Sequence, residues 1–266
     1  MIDFALDAVA VLVSVLLLAG LVAFATRRLL NRHGPETPSR GTRGPISRMV
    51  IVPFALSVVG FGLFAFIAED VVSRQPTELM RRVDRTVQQG AQWMRGRAGV
   101  RVGAAILSHV MGEGLGILVP LGAAWLYTTD RRREAGVLVA GIVSAWALSG
   151  VLKLAFAVPR PHAGATRYAI TGYGFPSGHT LVATVASGLV AWLAGRGLRS
   201  GTRGILWTGA VVLVALTAVA RVILQAHWLS DVAGGLSVGV LWLGLIMLMV
   251  DRGPHAHTGG RSAQAG

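Results

Sequence analysis

The chain contains no cysteine. That excludes a disulfide framework, a thiolate metal site and a cysteine nucleophile. Charge is also scarce, at 14% of residues, where ordinary soluble domains carry about 25%. So few charges cannot cover the surface of a soluble protein of 266 residues. Lysine is nearly missing: of 25 lysines and arginines, Lys153 is the one lysine. What fills the chain instead is apolar, at 53% hydrophobic residues, with 35 glycines and a net charge of +13. A basic balance raises nucleic acid as a partner, but a chain this apolar has no solvated basic domain to offer, so none is expected. Disorder, a secreted mini-protein and a collagen-like chain are excluded by the same composition.

Seven apolar runs are each about the 20 residues needed to cross a bilayer. They cover Ala5–Ala25, Met49–Ala68, Val102–Tyr127, Ala135–Val158, Ser177–Ala194, Ile205–Leu224 and Leu229–Val250. They are continuous rather than alternating, so they predict helices, which satisfy their own backbone in lipid. The expected fold is an all-α, polytopic membrane bundle. The first run does not read as a signal peptide, because Asp3 and Asp7 stand where a basic segment would be.

Basic residues between the runs set an orientation. Arginines crowd the connection after run one (Arg27 to Arg48), and Arg131–Arg133, Arg196, Arg199, Arg203 and Arg252 follow runs three, five and seven. These alternate connections fall on one side, taken as cytoplasmic. One outer connection departs from the pattern: Glu69–Arg101 carries seven arginines and four acids. Within it Leu79, Met80, Val83, Val87, Ala91 and Met94 recur at helical spacing, with Arg81, Arg82, Arg85, Gln88, Gln89 and Gln92 opposite. That predicts a helix lying in the interface, its arginines on anionic headgroups or in water. Pro- and Gly-rich 33–48 reads as a loop and 253–266 as a disordered tail. Gly235 and Gly239 form a small-xxx-small pair.

Ionisable residues at span ends carry the chemistry. Lys153 and Arg160-Pro161 end run four, Pro176-Ser177-Gly178-His179 begin run five, and Ala220-Arg221 through His227 to Asp231 join runs six and seven. Alternating spans return all three clusters to one extracytoplasmic rim. Lys153, Arg160 and Arg221 are cations without a carboxylate cluster to offset them, so an anion is expected between them. Ser177 and Gly178 open a helix whose free N–H groups suit an anion, and guanidinium forks suit phosphate oxygens. His227 and Asp231 are four apart, so on a helix the carboxylate could hold one imidazole nitrogen and leave the other free to attack. His179 is a second imidazole, suited to proton transfer.

Lys-x6-Arg-Pro, Pro-Ser-Gly-His and Arg-x5-His-x3-Asp in this order resemble the signature of the type 2 phosphatidic acid phosphatase and haloperoxidase superfamily. Ala220 stands where the family usually has serine. The resemblance implies a six-helix core, to which Ala5–Ala25 would be an addition. It divides the chain into 1–48, an N-terminal helix and basic cytoplasmic loop; 49–250, a membrane phosphatase domain; and 251–266, a tail. It also implies metal-independent, two-step phosphoryl transfer without a cofactor. His227 would be the nucleophile, forming a phosphohistidine, with Asp231 orienting it. His179 would protonate the leaving group and then activate water, while Lys153, Arg160, Ser177, Gly178 and Arg221 hold the phosphate.

The expected activity is a lipid phosphate or diphosphate phosphatase of a cytoplasmic membrane, its site facing outward and its substrate's apolar chain in the bilayer. A polyprenyl diphosphate is favoured over phosphatidylglycerol phosphate, phosphatidic acid or lipid A 1-phosphate. A vanadium haloperoxidase and a non-catalytic lipid binder are the competing classes; the spans count against the first and the paired imidazoles against the second. Outside the motifs, His109 and Glu113 read as a structural pair, or alternatively as lining for substrate entry. His162, Arg167, Tyr168 and Tyr173 touch a headgroup or water. Trp125, Tyr127, Trp192 and Trp228 fit interfacial belts.

Overall fold

The computed structural model describes residues 48–72, 77–161 and 172–251. Among them there are eight helices: α1 (Arg48–Val72), α2 (Glu78–Arg95), α3 (Ala98–Val110), α4 (Leu115–Thr128), α5 (Arg132–Phe156), α6 (Gly178–Gly195), α7 (Ser200–Ile223) and α8 (Leu229–Asp251). Five of these are long and apolar enough to cross a membrane, and α3 with α4 make a sixth candidate as a bent pair. The first apolar run, the 33–47 loop, His162, Arg167, Tyr168 and the tail beyond Asp251 lie outside the described residues.

α6 is the central rod. Its apolar run is 72% buried, against 22% for α7 and 28% for α1, and it is flanked by α5, α7 and α8. Leu148 and Leu152 of α5, Leu181, Val185 and Leu189 of α6, and Val238 and Trp242 of α8 fill the space between these helices. Trp242 is fully buried, so its indole N–H needs a partner, and it donates to Ser144 Oγ at 2.9 Å. Outward faces are greasy: Phe54, Phe66, Ile117, Leu121, Ile205 and Val211 are all more than half exposed. In water such a surface would aggregate; in lipid it is the ordinary solvent face.

α1 lies along α8. Lipid supplies no hydrophobic drive for this contact, so close approach of small residues does the work. A Cβ at Gly60 would sit 2.5 Å from the Leu241 amide nitrogen, and one at Gly244 would sit 2.6 Å from the Pro53 carbonyl oxygen. The Gly235 and Gly239 pair serves the same end against α6, with Gly235 under the Ser177 carbonyl and Gly239 against Thr184.

One expectation requires correction. Val102–Tyr127 is not one continuous span: α3 and α4 meet at 47° across Met111–Gly114. Two glycines, Gly112 and Gly114, weaken the helix there. Turn bonds from both amides to the His109 carbonyl replace the regular ladder. α2 is the helix expected over this stretch, and it presents a mixed face to the bundle. Met80, Asp84, Val87, Gln88, Ala91 and Arg95 are the better-covered residues, whereas Leu79, Val83 and Met94 are exposed. Polar partners on α8 and in the loop before it select that face over the more apolar one.

Candidate active site

The three sequence clusters meet at one end of the bundle. α5 brings Lys153 in its last turn, and Ala157 closes the helix in a left-handed conformation at φ 50°. The chain then extends through Val158–Pro161, where Arg160 turns inward. Its Nη1 donates to the Ala226 carbonyl at 2.9 Å and lies 3.4 Å from His227 Nε2, while Nε donates to the Gly172 carbonyl at 3.2 Å. Lys153 Nζ donates to the Tyr173 carbonyl at 3.3 Å. The two cations therefore fix the returning strand of the loop as well as facing the site.

Ser177 is the N-cap of α6 and is fully buried. Its backbone N–H donates to the Asp231 carbonyl at 2.9 Å, joining the second motif to the third. The turn fits because a Cβ at Gly178 would strike Ser149 Oγ at 2.6 Å, and one at Gly235 would strike the Ser177 carbonyl at 2.4 Å. One turn into α6, His179 reaches the cavity wall. Gly112, at the break between α3 and α4, packs against its ring: a Cβ there would fall 2.4 Å from His179 Nε2.

Arg221, in the last turn of α7, is buried and donates from Nη1 to Ser108 Oγ at 2.5 Å. Its Nε is buried without a hydrogen-bond partner. Ala220 beside it packs into an apolar cluster with Ala104 and Ile223, so the hydroxyl on Arg221 comes from α3 instead. His227 lies in the short loop between α7 and α8 and is 1% exposed. Its Nδ1 is 3.4 Å from Asp231 Oδ2, within electrostatic reach though longer than a good hydrogen bond. The same Oδ2 accepts from the Trp228 backbone N–H at 2.9 Å, which holds the carboxylate beneath the ring.

Lys153, Arg160, Gly178, His179, Arg221 and His227 all line one cavity of about 500 Å³, while Ser177 and Asp231 stand behind the wall. Burial first, then Arg221, Arg160, Lys153 and His179, push the His227 imidazole well below its ordinary 6.5. It is therefore neutral near pH 7, with Nδ1 toward the carboxylate and Nε2 toward the cations. Burial likewise lowers the Arg160 guanidinium from its ordinary value, and Asp231 opposes that shift. Such a cage of donors suits a tetrahedral oxyanion. Among the described residues no group of three or more His, Asp or Glu side chains is gathered to hold a metal ion.

Sequence reasoning left Ser108, Ser149 and Gly112 unread as parts of this site. His109 and Glu113 are an exposed pair, Nδ1 to Oε2 3.0 Å, and both line the cavity. Trp146, Ala105 and Leu224 give its mouth an apolar side.

The chain is similar to known proteins. Residues 134–253 match the PAP2 superfamily. A stretch of 83 residues is 37% identical to lipid phosphate phosphatase delta of Arabidopsis thaliana, covering 30% of this chain and 20% of that protein. The match thus spans about a fifth of the plant relative's length. The fold is similar to the crystal structure of a transmembrane PAP2-type phosphatidylglycerolphosphate phosphatase from Bacillus subtilis, with a TM-score of 0.64 at 22% identity, over 73% of this chain and 94% of that one. The resemblance carried by the three motifs is borne out, and so is the all-helical membrane fold.

Proposed function

We propose, from the premise that this chain resembles the PAP2 superfamily in sequence and fold, that it is a phosphoric monoester hydrolase or diphosphatase acting on lipid phosphates. One observation carries the reading: three cations and two imidazoles share a single cavity at one end of a membrane bundle. A non-catalytic lipid binder has no use for a neutral buried imidazole braced by a carboxylate.

The chemistry divides into two displacements. His227 Nε2 attacks phosphorus, forming a P–N bond as the P–O bond to the lipid breaks. His179 delivers a proton to the departing oxygen. Lys153, Arg160, Arg221 and the amides at the start of α6 neutralise the charge spreading over the phosphoryl oxygens. His179 then takes a proton from water, the hydroxide oxygen attacks phosphorus, and the P–N bond breaks to release phosphate and free Nε2. Asp231 acts through His227, favouring the tautomer with its proton on Nδ1 and stabilising the ring as it gains charge.

The cavity mouth is apolar on one side, so the substrate's chain stays in the bilayer while its phosphate enters. A polyprenyl diphosphate at the extracytoplasmic face of a cytoplasmic membrane is the favoured substrate. Phosphatidylglycerol phosphate is the second reading, favoured by the Bacillus subtilis structure's description. Phosphate release across a panel of these lipids and phosphatidic acid decides between them. Release should persist in EDTA and be inhibited by vanadate. His227→Ala should lose at least about a thousandfold in rate; full activity in that variant would overturn the reading.

A further inference from the structure

α2 lies outside the region that matches the superfamily, yet it grips the His227 loop at both ends. Near the N-terminal half of α2, Asp84 Oδ1 accepts from the Ser230 backbone N–H at 3.0 Å and Oδ2 accepts from Ser230 Oγ at 2.7 Å. The Leu229 amide also faces this carboxylate. These are the free N–H groups of the first turn of α8, so Asp84 serves as an N-terminal cap supplied from another helix. Its negative charge also suits the positive end of α8. At the C-terminal end of α2, Arg95 Nη1 reaches Gln225 Oε1 at 3.4 Å. Gln225 itself sits at φ 56°, in the left-handed region. The held segment, Gln225 to Ser230, includes His227 and ends one residue before Asp231.

We propose that Asp84 is a positioning residue: by fixing Leu229 and Ser230 it sets the angle at which His227 and Asp231 face the cavity. It touches neither substrate nor reacting atoms. This is why a soluble-looking, arginine-rich helix is inserted between two membrane spans. The proposal rests on the phosphatase reading, in which His227 is the nucleophile and a small rotation of its ring costs rate rather than binding.

The test uses the full chain in lipid, with phosphate release from the lipid that the panel identifies. Asp84→Ala should lower kcat ten- to a hundredfold, on the order expected for a misplaced catalytic group, with KM within about twofold and the thermal midpoint little changed. Asp84→Asn keeps an acceptor for the Ser230 amide and should recover most of the lost kcat. Arg85→Ala, an exposed neighbour on the same helix, should leave kcat unchanged. Unaltered kcat in Asp84→Ala, or equal damage in Asp84→Asn, overturns the proposal. If Asp84→Ala does not fold, Ser230→Ala decides: a several-fold drop in kcat at constant KM supports the proposal, and an unchanged kcat overturns it. His227→Ala, assayed alongside, separates the two levels. Full activity there sinks the phosphatase mechanism, whereas an inactive His227→Ala beside an unimpaired Asp84→Ala sinks the positioning role alone.

Discussion

Gly112 sets a limit on His179 that no larger residue respects. Gly112→Ala would drive a methyl group into the imidazole, which lies 2.4 Å from the ideal Cβ position. A ring displaced by that amount should cost activity on the order of a hundredfold. Gly116→Ala, which meets nothing within 4 Å, should leave kcat unchanged, and the pair of assays isolates the contact. His227 makes a pH prediction with a definite sign. Because burial and nearby cations hold its folded value well below 6.5, the free nucleophile stays unprotonated as pH falls through that range. The acid limb of kcat/KM, which reports the free enzyme, should lie well under pH 6.5; a limb at 6.5 contradicts the buried site. The same depression means the unfolded chain binds that proton first. The contribution of this group to stability therefore falls as pH drops below 6.5. The eight motif residues were legible because their chemistry follows from residue type and local spacing. Ser108 and Asp84 were not, since their partners lie 113 and 146 positions away, and a serine or aspartate far from a motif carries no local mark.

At the scale of helices, apolar runs announced the spans from Met49 onward within a few residues. What the runs could not announce was shape. Val102–Tyr127 is long enough to read as one run, but Ser108-His109 and Gly112-Glu113-Gly114 interrupt it, and the bend falls at those glycines. The bundle-facing side of α2 was not legible for a related reason: periodicity finds the apolar stripe, but Asp84 and Arg95 find specific partners far along the chain. The α1–α8 contact gives a test at this level. Gly60→Ala places a methyl 2.5 Å from the Leu241 amide, and overpacking of this kind costs about 1–3 kcal/mol. Its thermal midpoint in detergent should fall. Gly62→Ala, with open space around it, should hold or raise the midpoint by up to about 1 kcal/mol of helix propensity. Equal midpoints for the two variants would mean that α1 does not dock through Gly60.

For the whole molecule, the two ends of the bundle differ in chemistry. One holds the cavity and α2; the other holds Arg131, which pairs with Glu134 and donates to the Leu193 carbonyl at 2.9 Å. Arginine–aromatic contacts mark that second end, with Arg132 over Tyr127 and Arg196 over Trp192. Basic connections of this kind tend to face the cytoplasm, and on that ground we propose that the cavity opens on the outer side. The absence of native cysteine makes this directly measurable. Gln89→Cys, on exposed α2, should react with a membrane-impermeant maleimide in intact cells, and Gly201→Cys, at the start of α7, only after permeabilisation; the reverse order inverts the assigned topology. The solitary lysine has a parallel consequence. Protein grown on lysine enriched in nitrogen-15 would carry a single labelled ammonium group, at the wall of the cavity. Its resonance would be a reporter of occupancy, with no assignment needed and no alteration to the sequence.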